Sequence, residues 1–399
     1  MLGAATVAVT AMIAGMACTV TTATTASAAA MGITATSFNR SFSAMKLLKP
    51  IVAKGTGAIG AILPDTVTST RYVEFDAPDL TTAMTDAGLT ASQISVVNAH
   101  GSDATEFSDA QADVTNGDKV IIMDPLDAGV GAKIESYAKA HSVAVIDYDR
   151  LTLGGSRTYY VSFNNEVVGT LIGNGFVSCV SAWKVAKPVV LVMHGADTDN
   201  NATLFADGYD AVVGPYFSSG KWTLVGKFQP NEVPAGTWTP TTALSEFEAE
   251  YTAHPTINAV LTPNDENAAP IELYLKSKGI KPDTFPMTGQ DATLTGLGNV
   301  LTGYQCGTVY KPIYLEAQAA VALAVYARAG ITPPAALVNG TTEDSVEHVA
   351  VKSVLETPEW VTTKNMNSTV IADNWVPAKS LCAAPYATAA ACTAAGITP

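Results

Sequence analysis

The chain has 399 residues, 48% of them apolar and 15% charged, with a formal net charge of −14. That length suits two lobes of ordinary size rather than one small domain, and the apolar fraction supports large buried cores over general disorder. The acidic balance argues against a nucleic-acid partner, which needs clustered Lys and Arg for its phosphates, but it does not identify a ligand.

The first thirty residues carry no charged side chain. The apolar stretch Leu2–Ala17 has the length of a signal-peptide core, and Ala26-Ser27-Ala28 offers a small-residue cleavage site. Residues 1–28 are therefore expected to be a signal peptide and the protein to be exported. Gly15-Met16-Ala17-Cys18 is a weaker alternative, with Cys18 as a lipid attachment point and the single link to a membrane. No later segment reaches the roughly 20 apolar residues needed to span a bilayer. Five cysteines is an odd count. Cys382 and Cys392 flank a short Ala-rich segment and are a candidate pair; Cys179 and Cys306 are the other. None has metal-ligand spacing, so their expected role is stability.

From Gly57, strand-like and helix-like segments alternate. Ile59–Leu63, Ile94–Val97, Val120–Met123 and Val143–Ile146 are apolar runs of strand length, and Gly131–Ala140 places Ile134, Tyr137 and Ala138 on one helical face. After Arg150 the alternation restarts. Tyr159–Phe163 leads into a helix carrying Val168, Leu171, Ile172, Phe176, Cys179 and Val180. Val189–Met193, Trp222–Phe228, Ala259–Leu261 and Phe285–Met287 continue the strands, and Pro312 opens an apolar helix to Arg328 that Gly330 is placed to stop. Alternation of this kind predicts α/β architecture with parallel sheets covered on both faces, here two doubly wound lobes. Residues 29–56 read as a leader and 373–399 as a tail, both outside the lobes. Right-handed crossovers put the strand C-termini on one edge of each sheet, where ligands sit.

Polar residues recur at those ends: Asp65, Asp149-Arg150, Asp199-Asn200-Asn201, Asn264-Asp265, Gln290-Asp291 and Lys311, with Trp238 downstream of one strand. Carboxylates, amides and cations share hydrogen bonds with vicinal hydroxyls, and an aromatic face complements the C–H face of a pyranose. Singly, an Asp or Asn after a strand is as readily a helix cap, and for Asp265 and Asn201 the two readings weigh equally. Their recurrence in both series points to a cleft for a sugar.

The segments Asp147-Tyr148-Asp149-Arg150, Tyr160-Val161-Ser162-Phe163-Asn164-Asn165, Asp199-Asn200-Asn201-Ala202, Gly289-Gln290-Asp291-Ala292 and Thr308-Val309-Tyr310-Lys311-Pro312 stand in the order found in xylose-binding periplasmic proteins. Over roughly residues 57–375 the chain resembles this type I family of sugar-binding components of ABC importers. The resemblance implies a type I periplasmic binding protein fold with a three-crossing hinge, no chemistry and no cofactor. It divides the chain into an N-terminal lobe (57–150 plus 308–345) and a C-terminal lobe (151–307 plus 346–372). It implies a monosaccharide ligand, a transporter permease as partner, and a monomer. Xylose leads, with other pentoses, hexoses or an oligosaccharide open. By the same resemblance the ligand-binding residues are Arg71, Tyr72, Asp149, Arg150, Asn200, Trp238, Asn264, Asp291 and Lys311. The chain departs from the xylose pattern in the loop Pro64–Arg71 and at His194, where a small residue is expected.

Other readings are weaker. Gly55-Thr56-Gly57-Ala58-Ile59-Gly60 spells a dinucleotide fingerprint, but its strand follows rather than precedes it. Asp197–Asn201 begins like a calcium loop without Gly at position 6 or Glu at position 12. A glycosidase would use Asp149 and Asp291 as paired carboxylates, one with a raised pKa, yet Arg150 and Lys311 favour ionised carboxylates. A sugar-responsive regulator would need a basic helix-turn-helix, and residues 1–56 carry only Arg40, Lys46, Lys49 and Lys54.

Overall fold

The computed structural model describes residues 32–228 and 236–398. The signal-like segment, Cys18 and part of the Pro230–Pro240 stretch lie outside them.

Strands β1 (Ile59–Leu63), β2 (Ile94–Asn98), β3 (Val120–Met123), β4 (Ala144–Tyr148) and β5 (Tyr159–Phe163) belong to a seven-stranded sheet. Its order is β10-β11-β5-β4-β3-β1-β2, with β10 (Gly340–Asp344) and β11 (Val349–Glu356) on one edge. All its pairings are parallel except β10 with β11. Alternate side chains leave opposite faces. Val120 and Ile122 join one core with helices α2 (Ala77–Ala87) and α10 (Ile313–Arg328), while Ile121 and Met123 join another with α3 (Asp103–Asn116) and α4 (Ala128–Ala140). The continuous apolar runs of the strands are thereby explained: both faces are buried.

The second sheet is built on β6 (Val189–Val192), flanked by β7 (Thr223–Lys227) and β8 (Ala259–Leu261) in parallel. The run Phe285–Met287 contributes a single bridge to Val260, and Gln290 bridges to β9 (Thr308–Tyr310), which pairs antiparallel with β12 (Glu359–Val361). Helices α5 (Asn165–Ala182) and α6 (Asn200–Ser218) cover one face. The other carries α7 (Pro240–Ala253) and α8 (Asp265–Ser277), and α9 (Leu294–Thr302) precedes β9.

Three expectations about chain organisation are corrected. The lobe boundaries fall later than Arg150, Gly307 and Ser345. Strand β5 pairs with β4 and β11 in the first sheet, and β9 lies in the second, so the chain crosses after Phe163, after Tyr310 and after Glu356. A strand-like pattern marks a strand but not the sheet it joins. The leader is not outside the lobes: Phe38, Phe42, Met45, Leu48 and Val52, the last in the short helix α1 (Lys49–Val52), are buried in the core with α2 and α10. Nor is the tail. Trp375, Leu381 of α11 (Ala378–Leu381), Cys392 of α12 (Ala389–Ala394) and Ile397 pack into the α5–α6 core.

Disulfides join Cys179 to Cys306 and Cys382 to Cys392. The first ties α5 to the strand-end segment before β9; the second clips the tail. Among the described residues no helix is long and apolar enough to cross a membrane, and no cluster of three metal-ligating side chains occurs.

Candidate functional site

Residues beyond the C-terminal ends of β1 and β4 face those beyond β6, β8 and β9 across a cleft holding about 340 Å³ of empty space, its mouth included. Eight of the nine expected residues line it: Arg71, Tyr72, Asp149 and Arg150 from the first lobe, Trp238, Asn264 and Asp291 from the second, and Lys311 on the crossing between them.

Asn200 is the exception. It is the first residue of α6, and the neighbouring Asn201 turns into the cleft instead. One residue on a helix rotates a side chain by about 100°, so helix phase decides between two adjacent amides. Asn201 Nδ2 donates to the Asp149 carbonyl at 2.9 Å, and its Oδ1 accepts from Asn165 Nδ2 at 2.7 Å. Asp199 is both the N-cap of α6 and part of the cleft wall: its Oδ1 accepts from the Asn201 amide, its Oδ2 from Trp238 Nε1 at 3.0 Å. Asn264 likewise caps α8 while lining the cleft. Capping and lining coexist, because the cleft lies where helices begin. Asp265 behaves differently: fully buried, it faces Gln305, Thr293 and Thr308 rather than the cleft.

Thr68, Ser69, Phe205 and Gln290 line the cleft beyond the nine expected residues. Gln290 sits beside Asp291 in a quoted motif. Phe205 lies one helical turn after Asn201, on the same face of α6. Thr68 and Ser69 belong to the divergent loop, where Asp65 folds the chain tightly by accepting from the amides of Val67 and Thr68 at 2.7 Å.

A guanidinium has five N–H donors. Arg71 gives four to the protein: Nε and Nη2 to Asp76 at 2.9 and 2.8 Å, Nη2 also to Glu316 at 2.9 Å, and Nη1 to Asp149 at 2.7 Å. Arg150 donates through Nη1 to the carbonyls of Pro125 and Leu126 at 3.3 and 3.1 Å and through Nη2 to the Tyr72 hydroxyl at 2.9 Å, and its Nε faces Asp199 Oδ2 at 3.3 Å. Among the described residues each arginine therefore keeps one spare donor. Lys311 Nζ pairs with Asp291 Oδ1 at 3.0 Å. Burial opposes the charge of Asp149, but Arg71, Lys311 and Arg150 overcome it and hold the carboxyl below its ordinary range. Burial likewise opposes the charge of Lys311, and Asp291 with Asp149 raises its pKa nonetheless. Asp149 and Asp291 both adopt left-handed backbone, with φ of 59° and 88°. Such strain in non-glycine residues collects at functional sites. At Asp149 it is held by the amide donating to Val161 and the carbonyl accepting from Tyr160 and Asn201.

The aromatic wall is Trp238, with Phe205 edge-on at 6.3 Å between centroids. The indole lies against Gly195, where a Cβ would sit 2.1 Å from Cζ2. His194 stands behind this wall and outside the lining: its Nδ1 bonds the Tyr209 hydroxyl, and burial, with Lys227 nearby, pushes its pKa down to about 3. It supports the wall as a neutral ring.

The glycosidase reading needs one carboxyl held protonated, whereas Asp149 is pushed the other way and Asp291 is ion-paired. The leader, folded into the first core, provides no free DNA-binding unit.

Two doubly wound lobes, three crossings and a preformed polar cleft with an aromatic wall define a two-lobed solute-binding protein. Residues 59–331 match the family described as "Periplasmic binding protein domain". The D-xylose-binding periplasmic protein of Escherichia coli (strain K12) is 32% identical over 286 residues, covering 71% of this chain and 81% of that one. A multiple sugar-binding periplasmic receptor of Rhizobium radiobacter is 28% identical over 343 residues, 83% of this chain and 94% of that one. A carbohydrate transporter solute binding protein from Chloroflexus aurantiacus, solved in complex with D-glucose, superposes with a TM-score of 0.71 at 25% identity, covering 81% of this chain and 98% of that one. This chain belongs to the periplasmic binding proteins, among the xylose-type sugar-binding members. It is a non-enzymatic, extracytoplasmic binding component of an ABC importer.

Proposed function

We propose that the chain captures one monosaccharide, with D-xylose the leading ligand, between Trp238 and the Arg71–Asp149–Arg150 group, and presents the closed form to its permease. Export through the N-terminal segment and a monomeric state belong to the same reading. The observation that supports it most is the convergence of carboxylates, amides and partly spent arginines from both lobes on one cleft beside an indole face. The two spare guanidinium donors, the Lys311 ammonium and the Asn264 amide supply donors; Asp149, Asp291 and Gln290 supply acceptors. A ligand touching both halves stabilises closure by its differential affinity for the closed state. The relatives' printed ligands, D-xylose in one and D-glucose in a solved neighbour, make the pentose and hexose panels the natural comparison.

Calorimetry against D-xylose, D-ribose, L-arabinose, D-glucose and D-galactose tests this. Xylose should bind at micromolar concentrations, about −8 kcal/mol. Tighter binding of another sugar would reassign the ligand, and no heat with any of them would refute the reading.

A further inference from the structure

We infer that the C-terminal tail is a closure clasp: Asp373 and Trp375, carried by the second lobe, grip the first lobe beside a hinge crossing and stabilise the closed cleft. This rests on the reading that the lobes close on a sugar, and it gives part of that closure to residues beyond the matched span 59–331.

The tail travels with the second lobe. Trp375, Leu381, Cys392 and Ile397 are buried in that lobe's core, and Trp375 Nε1 donates at 2.9 Å to the carbonyl of Ala292, next to the cleft residue Asp291. Its other partners belong to the first lobe. The Trp375 indole stacks on Phe75, with centroids 3.5 Å apart and planes inclined by 10°. Phe75 sits in the helical turn Tyr72–Asp76, between Tyr72 of the cleft and Asp76, which anchors Arg71. Asp373 Oδ2 accepts from the Tyr310 hydroxyl at 2.9 Å and from the Tyr314 hydroxyl at 3.0 Å. Tyr310 ends β9 in the second lobe and Tyr314 lies in the core of the first, so one carboxylate oxygen straddles a crossing. Asn374, between the two tail residues, adopts left-handed backbone with φ of 52°, which asparagine tolerates. Its carbonyl accepts from Arg40 of the leader at 3.4 Å.

These contacts depend on how one lobe is rotated against the other. The leader, the Tyr72–Asp76 turn and α10, all of the first lobe, meet one short segment of the second. Opening about the crossing that follows Tyr310 draws them away from it together. A stack at 3.5 Å leaves no slack, since a gap of ~0.5–1 Å forfeits roughly a quarter to a half of the dispersion attraction. Parting from Phe75 would also wet an indole face that is buried in the closed form. The clasp therefore favours the closed state, and a larger closed fraction raises the apparent affinity of a ligand that binds that state.

The test compares Phe75→Ala, Tyr314→Phe and Tyr310→Phe in the full chain. Calorimetry and stopped-flow release use D-xylose, and small-angle scattering is recorded without sugar. Phe75→Ala and Tyr314→Phe each cut a tie to the first lobe. Each should weaken binding by about 2–12-fold, mainly through faster release, and should enlarge the radius of gyration of the sugar-free protein. Tyr310→Phe cuts a bond inside the second lobe, so it should lower the melting temperature while affinity, release and scattering stay parental. Phe75→Tyr keeps the stacking ring and should restore parental behaviour. Parental release rates in both cut variants would overturn the inference, as would a loss of affinity in Tyr310→Phe as large as in Tyr314→Phe. If Phe75→Ala does not fold, the nearly isosteric Tyr314→Phe decides. Should D-xylose not bind the parent, the xylose assignment fails, and scattering alone decides the clasp: an unchanged radius of gyration in the cut variants refutes it.

Discussion

Gly195→Ala tests whether the indole of Trp238 forms one wall of the binding site. An added Cβ would lie 2.1 Å from Cζ2 and 2.3 Å from Cη2 of that ring, where ordinary contact begins near 3.4 Å. The indole must retreat by more than an ångström, toward the space the sugar would occupy. Its Nε1 then leaves Asp199 Oδ2, now 3.0 Å away, at a cost of about 1 kcal/mol. Loss of the stacking face removes another ~0.5–1.5 kcal/mol from the complex. The bond to Asp199 is lost from the free protein and the complex alike and lowers stability, so the stacking loss sets the affinity change, and binding should weaken by roughly 2–12-fold at about 1.4 kcal/mol per decade. The assay is calorimetry with the preferred sugar, beside a melting curve for the variant. Gly214→Ala is the control: it lies in α6, and nothing stands within 4 Å of the point its Cβ would occupy, so it should leave affinity unchanged and add up to ~1 kcal/mol of stability. Parental affinity in Gly195→Ala, with the variant folded, would show that Trp238 does not cover the ligand.

The two disulfides should differ in worth. The Cys179–Cys306 link closes a separation of 127 residues and the Cys382–Cys392 link one of 10, so chain entropy sets upper estimates of about 5 and about 3 kcal/mol. Urea denaturation of the paired Ala variants should show that order, and a reversed order would contradict the entropic account. Burial pushes the Glu106 carboxyl up to about 8, against the weaker opposing effect of the Leu126 amide. A folded-state pKa above the unfolded ~4.3 gives stability complete at lower pH and lost as pH rises through 8. Glu106→Gln removes that loss, so its stability relative to the parent should grow between pH 5 and 9, by about 4 kcal/mol at most; a pH-independent difference in denaturation midpoints would refute it. Asn201→Ala should weaken sugar binding more than Asn200→Ala, since only Asn201 reaches the Asp149 carbonyl; equal calorimetric losses would put the α6 phase argument in error.

The local code was legible wherever one face or one short run carries the information. Strands such as Ile59–Leu63 and Val120–Met123 are apolar throughout because both faces of a parallel sheet are buried, and their polar successors mark the cleft edge. Contiguous motifs accordingly pointed to Asp149, Arg150, Asp291 and Lys311, and the polar residue after Ala259–Leu261 pointed to Asn264. What required the tertiary structure was every choice among equivalent local patterns. Whether β5 joins the first or the second sheet depends on its neighbours: β4, just before it in the chain, and β11, which lies beyond a whole lobe. Asn200 and Asn201 are the same side chain one position apart, and only the axis of α6 relative to Asp149 selects the second. Phe38, Met45 and Trp375 sit in stretches without strand or helix periodicity, and become core because α2, α10 and the α5–α6 layer leave surfaces for them. The pairing of each cleft cation with a buried carboxylate joins residues as distant as Arg71 and Glu316. Charge neutralisation falls off with distance in space and not along the chain, so folding alone could decide it.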